Sequence, residues 1–367
     1  MPTSRDLAPG WRAPLLILAM LSLLAGAGMG LARLGWSMPQ SLGASAGGHG
    51  PLMICGFFGT VISLERAVAI GSRWAYLGPL CSGLGGLALI LGAEGAVAAA
   101  ALSAGSAILL LASVSVYRRQ RASHTLTLVL GAAAWFAGNL LWVAGLSIHG
   151  IVSFWLSFLV LTIAGERLEL SRFLPPSPTA RFTFAVLLVI MVAGMAASLA
   201  NLPVGTLILA FALLGLAFWL LRQDVARRTI GQQGLTRFIA VCLLSGYGWL
   251  AAGALIACLA GGILPGRAGY DAALHAILLG FVFSMVFGHA PIIFPAVIRV
   301  RVPYSGLFYG PLTLLHLSVA VRVLGGLGGE AHVRNAGGLL NAAALLLFVV
   351  TMIAAVLRGR LAPEHVR

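Results

Sequence analysis

The fold class is decided by one stretch of sequence, YDAALHAILLGFVFSMVFGHAP, which covers residues 270–291. It is long and apolar enough to cross a bilayer as a helix, which takes about 20 residues. It nevertheless carries Asp271, His275 and His289, and ionisable side chains inside a membrane are costly and need partners. This stretch is therefore the first candidate for a functional site.

The composition of the whole chain agrees with a membrane location. Of its 367 residues 60% are hydrophobic and 9% are charged, and the mean hydropathy is +1.01. Almost every long window could therefore be a membrane helix, so the chain is predicted to be an all-α polytopic membrane protein whose main partner is the lipid bilayer. The net charge of +14 is spread over short loops rather than along one face, so we expect no nucleic-acid binding.

Apolar runs of sufficient length predict about twelve transmembrane helices in a single integral membrane domain, residues 1–367. The predicted spans are 13–34, 45–69, 75–93, 96–116, 125–147, 149–170, 181–200, 203–221, 236–261, 271–297, 304–325 and 335–357.

The arginines predict the orientation of these spans. The chain has no lysine, and nineteen of its arginines fall on the side of both termini, whereas only Arg33, Arg267, Arg322 and Arg334 fall on the other side. Because positive charge concentrates on the cytoplasmic side, we expect both termini to be cytoplasmic and the protein to lie in the cell inner membrane. Removing the first span as a signal peptide would break this alternation, so that span is expected to stay.

A weak internal repeat is visible in the same pattern. The second, sixth and tenth spans each begin with a histidine, at His49, His149 and His275. The second and sixth also close on a Glu-Arg pair, at Glu65 and Glu166. We predict a threefold pseudo-repeat of four helices, with the three histidines at similar depth. The two glutamates are expected to form interfacial ion pairs, with proton entry as the alternative.

His49 and His275 are the best candidates for a haem site. Two axial imidazoles of one haem come from facing helices at matched depth, and both histidines lie in the outer third of their spans. His289 lies fourteen residues beyond His275, about 21 Å along the helix, and cannot share that iron. Asp271, one turn before His275, could accept its other N–H and orient the ring.

Haem propionates would need cations at the outer end of the bundle. Arg322 is placed best for this role, and Arg334 and Arg267 are further candidates.

These residues resemble a known superfamily. HGPLMICGFF, residues 49–58, resembles the second helix of haem-copper oxidase subunit I, and HAILLGFVFSM, residues 275–285, resembles its tenth helix. The HAxxxGxxxxM spacing is similar to that of the NnrS family of membrane proteins linked to nitric oxide metabolism. The resemblance implies a subunit I-like fold, a b-type haem held by His49 and His275, and a role in electron transport or nitric oxide handling.

The chain also departs from the oxidase pattern. Ala273 stands where the oxidases have a second histidine, and the seventh span has no histidine for copper. A standard binuclear centre is therefore not expected. Copper remains a second metal that the resemblance allows, at a reduced site that would use His149 with His316, or His289 alone.

Other functions stay open from the sequence. A proton-coupled secondary transporter would use Asp271, His275 and His289 as a proton relay. A non-catalytic membrane subunit of a respiratory complex is the third interpretation. Each histidine taken singly could also be hydrogen-bonded to a neighbouring helix. Whether the protein is an enzyme is left open, and an electron-donor protein, a respiratory-chain partner or quinol would supply its electrons.

Overall fold

The chain folds into a bundle of long helices, as its apolar runs predict. A computed structural model describes residues 6–170 and 176–361, and within these ranges the regular structure is entirely helical. The principal helices are α1 (Pro9–Arg33), α2 (Ala46–Ile70), α3 (Leu77–Ile90), α4 (Gly95–Arg119), α5 (Ser123–Val143), α6 (Ile148–Leu170), α7 (Pro178–Ala200), α8 (Leu202–Gln223), α9 (Gly234–Leu259), α10 (Ala268–Ile298), α11 (Gly306–Leu327) and α12 (Ala331–Leu361). Two short helices, Gln40–Ala44 and Ala226–Thr229, lie in the connections.

Eleven of the twelve predicted spans in the described ranges are helices long and apolar enough to cross a bilayer. The third, predicted over 75–93, is the exception. Its α-helix α3 has only 14 residues, and a 3₁₀ turn, Arg73–Tyr76, precedes it. The helix ends before Gly92, whose φ of 73° lies in the left-handed region. At about 1.5 Å per residue, α3 is shorter than the hydrocarbon core, which is about 30 Å thick.

Two of the helices contain long π-helical segments. In α2 the segment Leu52–Phe58 is π-helical, and in α10 the segment Ala276–Phe283 is. Each begins within three residues of a histidine that the sequence singled out, His49 in α2 and His275 in α10. Because π-helical turns are rare and occur often at functional sites, these segments draw attention to the same two histidines.

Helices that follow one another in the chain mostly pack side by side, and α1 also contacts α12. The helix α6 is the most enclosed of the candidate spans. Close packing depends on small residues, as between α7 and α8, where a Cβ at Gly205 would collide with the backbone of Ser198. Such contacts let helices approach closely where lipid supplies no hydrophobic driving force. The threefold repeat of four helices stays a prediction.

Candidate functional site

The structure brings His49 of α2 and His275 of α10 face to face. Their ring centroids are 6.3 Å apart and their planes differ by 19°. An imidazole nitrogen binds a metal ion at about 2.0–2.1 Å. Since that nitrogen lies about 1 Å from its ring centroid, two imidazoles on opposite sides of one ion have centroids about 6 Å apart. The observed centroid separation is close to this value, and the two rings are stacked with near-parallel planes.

Hydrogen bonds fix the tautomer of both rings. The Nδ1 of His49 lies 2.7 Å from the carbonyl oxygen of Gly26 in α1. The Nδ1 of His275 lies 2.8 Å from the carbonyl oxygen of Asp271. Because a carbonyl oxygen only accepts hydrogen bonds, Nδ1 is the protonated nitrogen in each ring. The Nε2 lone pair of each histidine is therefore the one available to a metal.

The π-helical segments determine which side chains accompany the two histidines. In a π-helix the hydrogen bonds run from residue i to i+5, so residues four and five apart share a face more nearly than in an α-helix. His49, Met53, Ile54 and Phe58 consequently line one cavity wall. His275, Leu278, Leu279 and Phe283 line the wall opposite.

Two cavities flank the histidine pair and share its side chains. The inner cavity lies between α1, α2, α10, α11 and α12 and has a volume of about 60 Å³. Phe58 and Phe283, in edge contact with ring centroids 5.1 Å apart, line it. The outer cavity, of about 290 Å³, extends from the same histidines towards α6. The gap between the imidazoles thus opens on both sides into a largely apolar slot.

The outer cavity has a positively charged rim. Arg33, Arg322 and Arg334 line it, together with His149 and Tyr270. The Nε atom of Arg334 is buried and has no hydrogen-bond partner in the described ranges. A buried donor of this kind calls for an acceptor from a ligand or from water, because leaving it unpaired costs about 1–3 kcal/mol.

Asp271 and Arg322 form a paired support beside His275. The guanidinium of Arg322 donates from Nη2 to Oδ1 of Asp271 at 2.8 Å and from Nε to Oδ2 at 3.0 Å. Oδ1 of Asp271 is also 3.1 Å from Nδ1 of His275. Arg322 was predicted to be the best-placed cation for haem propionates; it lines both cavities and is also paired with Asp271. Arg267, the weaker candidate, donates instead to the carbonyl oxygen of Ala260.

The remaining histidines divide between different places. His149 lines the outer cavity and its Nδ1 is hydrogen-bonded to the hydroxyl of Tyr270 at 2.9 Å. His316 lines neither cavity; its Nδ1 accepts from the indole of Trp249 at 2.9 Å. In residues 6–170 and 176–361, no three His, Cys, Asp or Glu side chains are arranged to hold a metal. The expected pairing of His149 with His316 thus finds no geometric support.

His289 belongs to a buried network towards the other end of α10. The carboxylate of Asp224 accepts from Nε of Arg167 at 2.7 Å and from the hydroxyl of Tyr247 at 2.7 Å. Nη1 of Arg167 donates to Nε2 of His289 at 3.3 Å, and Nδ1 of His289 donates to the carbonyl oxygen of Met285 at 2.7 Å. His289 is therefore neutral in this network.

The prediction that Glu65 and Glu166 form interfacial ion pairs stays a prediction. Arg167, the neighbour of Glu166, makes its ion pair with Asp224. The proton-entry alternative stays a prediction.

Several residues around the site escaped the sequence analysis. Arg33 entered only the prediction of orientation and Gly26 entered no prediction, yet the carbonyl oxygen of Gly26 accepts the His49 hydrogen bond and Arg33 lines the outer cavity. Tyr270 stands next to Asp271 but was not singled out. Asp224 could have been flagged, because the chain contains only nine acidic residues and one close to a membrane span calls for a partner.

The fold and the buried polar groups define a multi-pass α-helical membrane protein with two histidines facing each other between its helices. Residues 12–357 match the family described as a domain of unknown function, DUF8744, and the chain belongs to this family. No curated protein and no solved structure matches the chain.

Proposed function

We propose that this protein binds one b-type haem between His49 and His275 and acts in electron transfer or in nitric oxide handling, as the resemblance to NnrS and the haem-copper oxidases implies. The observation that carries the proposal is the His49–His275 pair. The two ring centroids lie 6.3 Å apart, and the hydrogen bonds at both Nδ1 atoms leave both Nε2 lone pairs available to a metal.

The surroundings of the pair fit a haem. A macrocycle held between the rings would extend to both sides, and the slot opens on both sides of the pair. The inner part is apolar, as the hydrocarbon edge requires, and the outer part carries Arg33 and Arg334 for the propionates. The orphaned Nε of Arg334 is the donor that such a carboxylate would satisfy.

When bound, a haem with two histidine ligands supplies a one-electron redox centre. The protein's part is to hold the two imidazoles, to keep Asp271 and Arg322 beside His275, and to exclude water with the phenylalanines of α2 and α10. In the described parts of the chain no third metal-binding side chain joins the pair. The proposal therefore assigns no copper site and no terminal-oxidase activity.

We also propose how the protein is oriented in the membrane and which partners supply its electrons. The unequal distribution of arginines supports cytoplasmic termini in the cell inner membrane, so the histidine pair would lie near the opposite face. An electron-donor protein of the respiratory chain, or quinol from the bilayer, would then reach the haem.

The experiment is a comparison of haem content in the purified full-length protein. His49→Ala and His275→Ala should each abolish the low-spin haem spectrum, because each removes one of two axial ligands. His332→Ala is the matched control, since that side chain is 81% exposed and away from the cavities. A haem spectrum retained by both axial variants would rule out this pair.

A second candidate is a proton-coupled secondary transporter, which the Arg167–Asp224 ion pair with Tyr247 and His289 favours. Ionisable groups inside a membrane often mark transport pathways. Against this function, the Asp224 carboxylate already accepts four hydrogen bonds, from Arg167, Tyr247 and the backbone of Ala226. A carboxylate with this many partners stabilises the contact between helices rather than binding a transported proton. Substrate uptake by vesicles that contain the protein without haem would favour transport.

A further inference from the structure

The two histidines of the pair are held differently. The Nδ1–H of His49 meets a backbone carbonyl, that of Gly26. The Nδ1–H of His275 meets the backbone carbonyl of Asp271 and, at 3.1 Å, the carboxylate of the same residue. One imidazole therefore has a neutral partner, and the other has a charged one in addition.

The charged partner is itself fixed in place. Arg322 binds both oxygens of Asp271 in a bidentate pair and is a buried side chain of α11. The backbone of Arg322 packs so closely on Gly337 of α12 that a Cβ there would meet it at 2.5 Å. A planar guanidinium group whose backbone is fixed in this way keeps a carboxylate in one orientation, whereas a flexible ammonium group would not.

From this asymmetry we infer that Asp271 and Arg322 are positioning residues that make His275 the stronger electron donor of the two ligands and thereby set the reduction potential of the site. The inference rests on the proposed haem site. A carboxylate that accepts the Nδ1–H of a metal-binding histidine raises the basicity of its Nε2. A more basic Nε2 stabilises the ferric state more than the ferrous state, so the potential falls. Arg322 acts through Asp271 by keeping its Oδ1 at the ring.

Asp271→Asn should raise the midpoint potential of the site. The amide is neutral and a weaker acceptor, so the ferric state loses stability and the midpoint potential rises. Removal of an outer-shell partner changes metal affinity about 10–100-fold. If the ferric state alone loses tenfold, the potential rises by about 59 mV, the value for a tenfold change in a one-electron couple.

Arg322→Lys separates position from charge. It keeps the positive charge at the site but loses the bidentate fork, so we expect a change in the same direction as in Asp271→Asn, of smaller size. His332→Ala is the matched control, because that side chain is 81% exposed and lines neither cavity. It should leave the potential and the ligand field of His275 unchanged.

The experiment is a redox titration of the purified full-length protein, with low-temperature electron paramagnetic resonance of the ferric form as the second readout. The expected result is a higher potential and altered g values in Asp271→Asn and Arg322→Lys, and wild-type potential and g values in His332→Ala. Asp271→Glu keeps a carboxylate at this position, so its potential and g values should lie closer to those of the wild type than the values of Asp271→Asn do. If Asp271→Asn loses its haem, Arg322→Lys gives the same test.

Failure of the proposed function and failure of the inference about Asp271 and Arg322 would give different results. A wild-type protein without haem refutes the proposed function itself. A wild-type protein with haem, lost in His49→Ala and His275→Ala, combined with wild-type potential and g values in Asp271→Asn and Arg322→Lys, overturns only the inference about Asp271 and Arg322.

Discussion

Replacing Gly30 by alanine tests how α1 positions His49. The carbonyl oxygen of Gly26, one turn before Gly30 in α1, accepts the Nδ1–H of His49 at 2.7 Å. The imidazole reaches this carbonyl because residue 30 has no side chain. A Cβ at Gly30 would lie 2.8 Å from both Nδ1 and Cε1 of the ring. His49 would then have to move away from α1.

The size of the effect follows from this geometry. Ordinary van der Waals contact begins at 3.4 Å, so the ring must retreat by about half an ångström or more. The hydrogen bond to Gly26 then lengthens beyond a good N–H···O distance, which costs about 0.5–1.5 kcal/mol. Since about 1.4 kcal/mol corresponds to a factor of ten in binding, and a misplaced ligand adds to the loss, we expect haem affinity to fall at least about tenfold.

The assay is haem content per chain after purification, followed by titration of the haem-depleted protein with haem. Gly28→Ala and Gly10→Ala are matched controls in the same helix. The first would meet only the flexible ends of Leu42 and Met38, and the second would meet nothing within 4 Å. If folded Gly30→Ala protein bound haem with wild-type affinity and an unchanged spectrum, the position assigned to His49 would be wrong.

Three further predictions concern stability. Asp224→Asn leaves Arg167 without its counterion and should lower the free energy of unfolding by about 3–5 kcal/mol. Tyr247→Phe removes one hydrogen bond to a charged group and should lower it by about 1.5–3 kcal/mol. Equal, negligible effects of both variants in a thermal-unfolding assay would contradict the described network. Gly205→Ala forces α7 and α8 apart and should cost about 1–3 kcal/mol or more, while Gly215→Ala meets only the side chain of Leu187 and should cost less in the same assay. Burial, and the hydrogen bond that the hydroxyl donates to Asp6 at 2.7 Å, raise the pKa of Tyr76. The contribution of Tyr76 to stability should therefore be complete below about pH 10, the ordinary tyrosine value, and lost at higher pH. The difference in unfolding midpoint between wild type and Tyr76→Phe should shrink at high pH, and a difference independent of pH would refute the assignment.

Much of the fold follows from hydropathy, because a membrane helix needs a long apolar run whatever its neighbours are. The tenth predicted span, 271–297, and the sixth, 149–170, agree with α10 and α6 to within a few residues. The third span failed because hydropathy does not register where a helix begins. The predicted span began at residue 75, but the chain forms a 3₁₀ turn over Arg73–Tyr76, and α3 itself has only 14 residues.

The site was predictable only in part. His49 and His275 could be paired from depth alone, since both start their spans at the same end of the bundle. The partners of a charge could not be deduced, because they depend on which helices meet. Arg322, which lines the cavities, also binds Asp271 of α10, and Arg167, the neighbour of Glu166 in the chain, binds Asp224. The π-helical segments also have no simple signature in a single sequence.

The most direct test of the central claim is a reduced-minus-oxidised absorption spectrum of the purified protein, with haem and metal analysis on the same sample and on His49→Ala and His275→Ala. We expect a b-type spectrum with about one haem per chain in the wild type and its loss in both variants. Folded wild-type protein purified from haem-replete cells without haem, or variants that keep the spectrum, would contradict the proposal that these two histidines hold a haem.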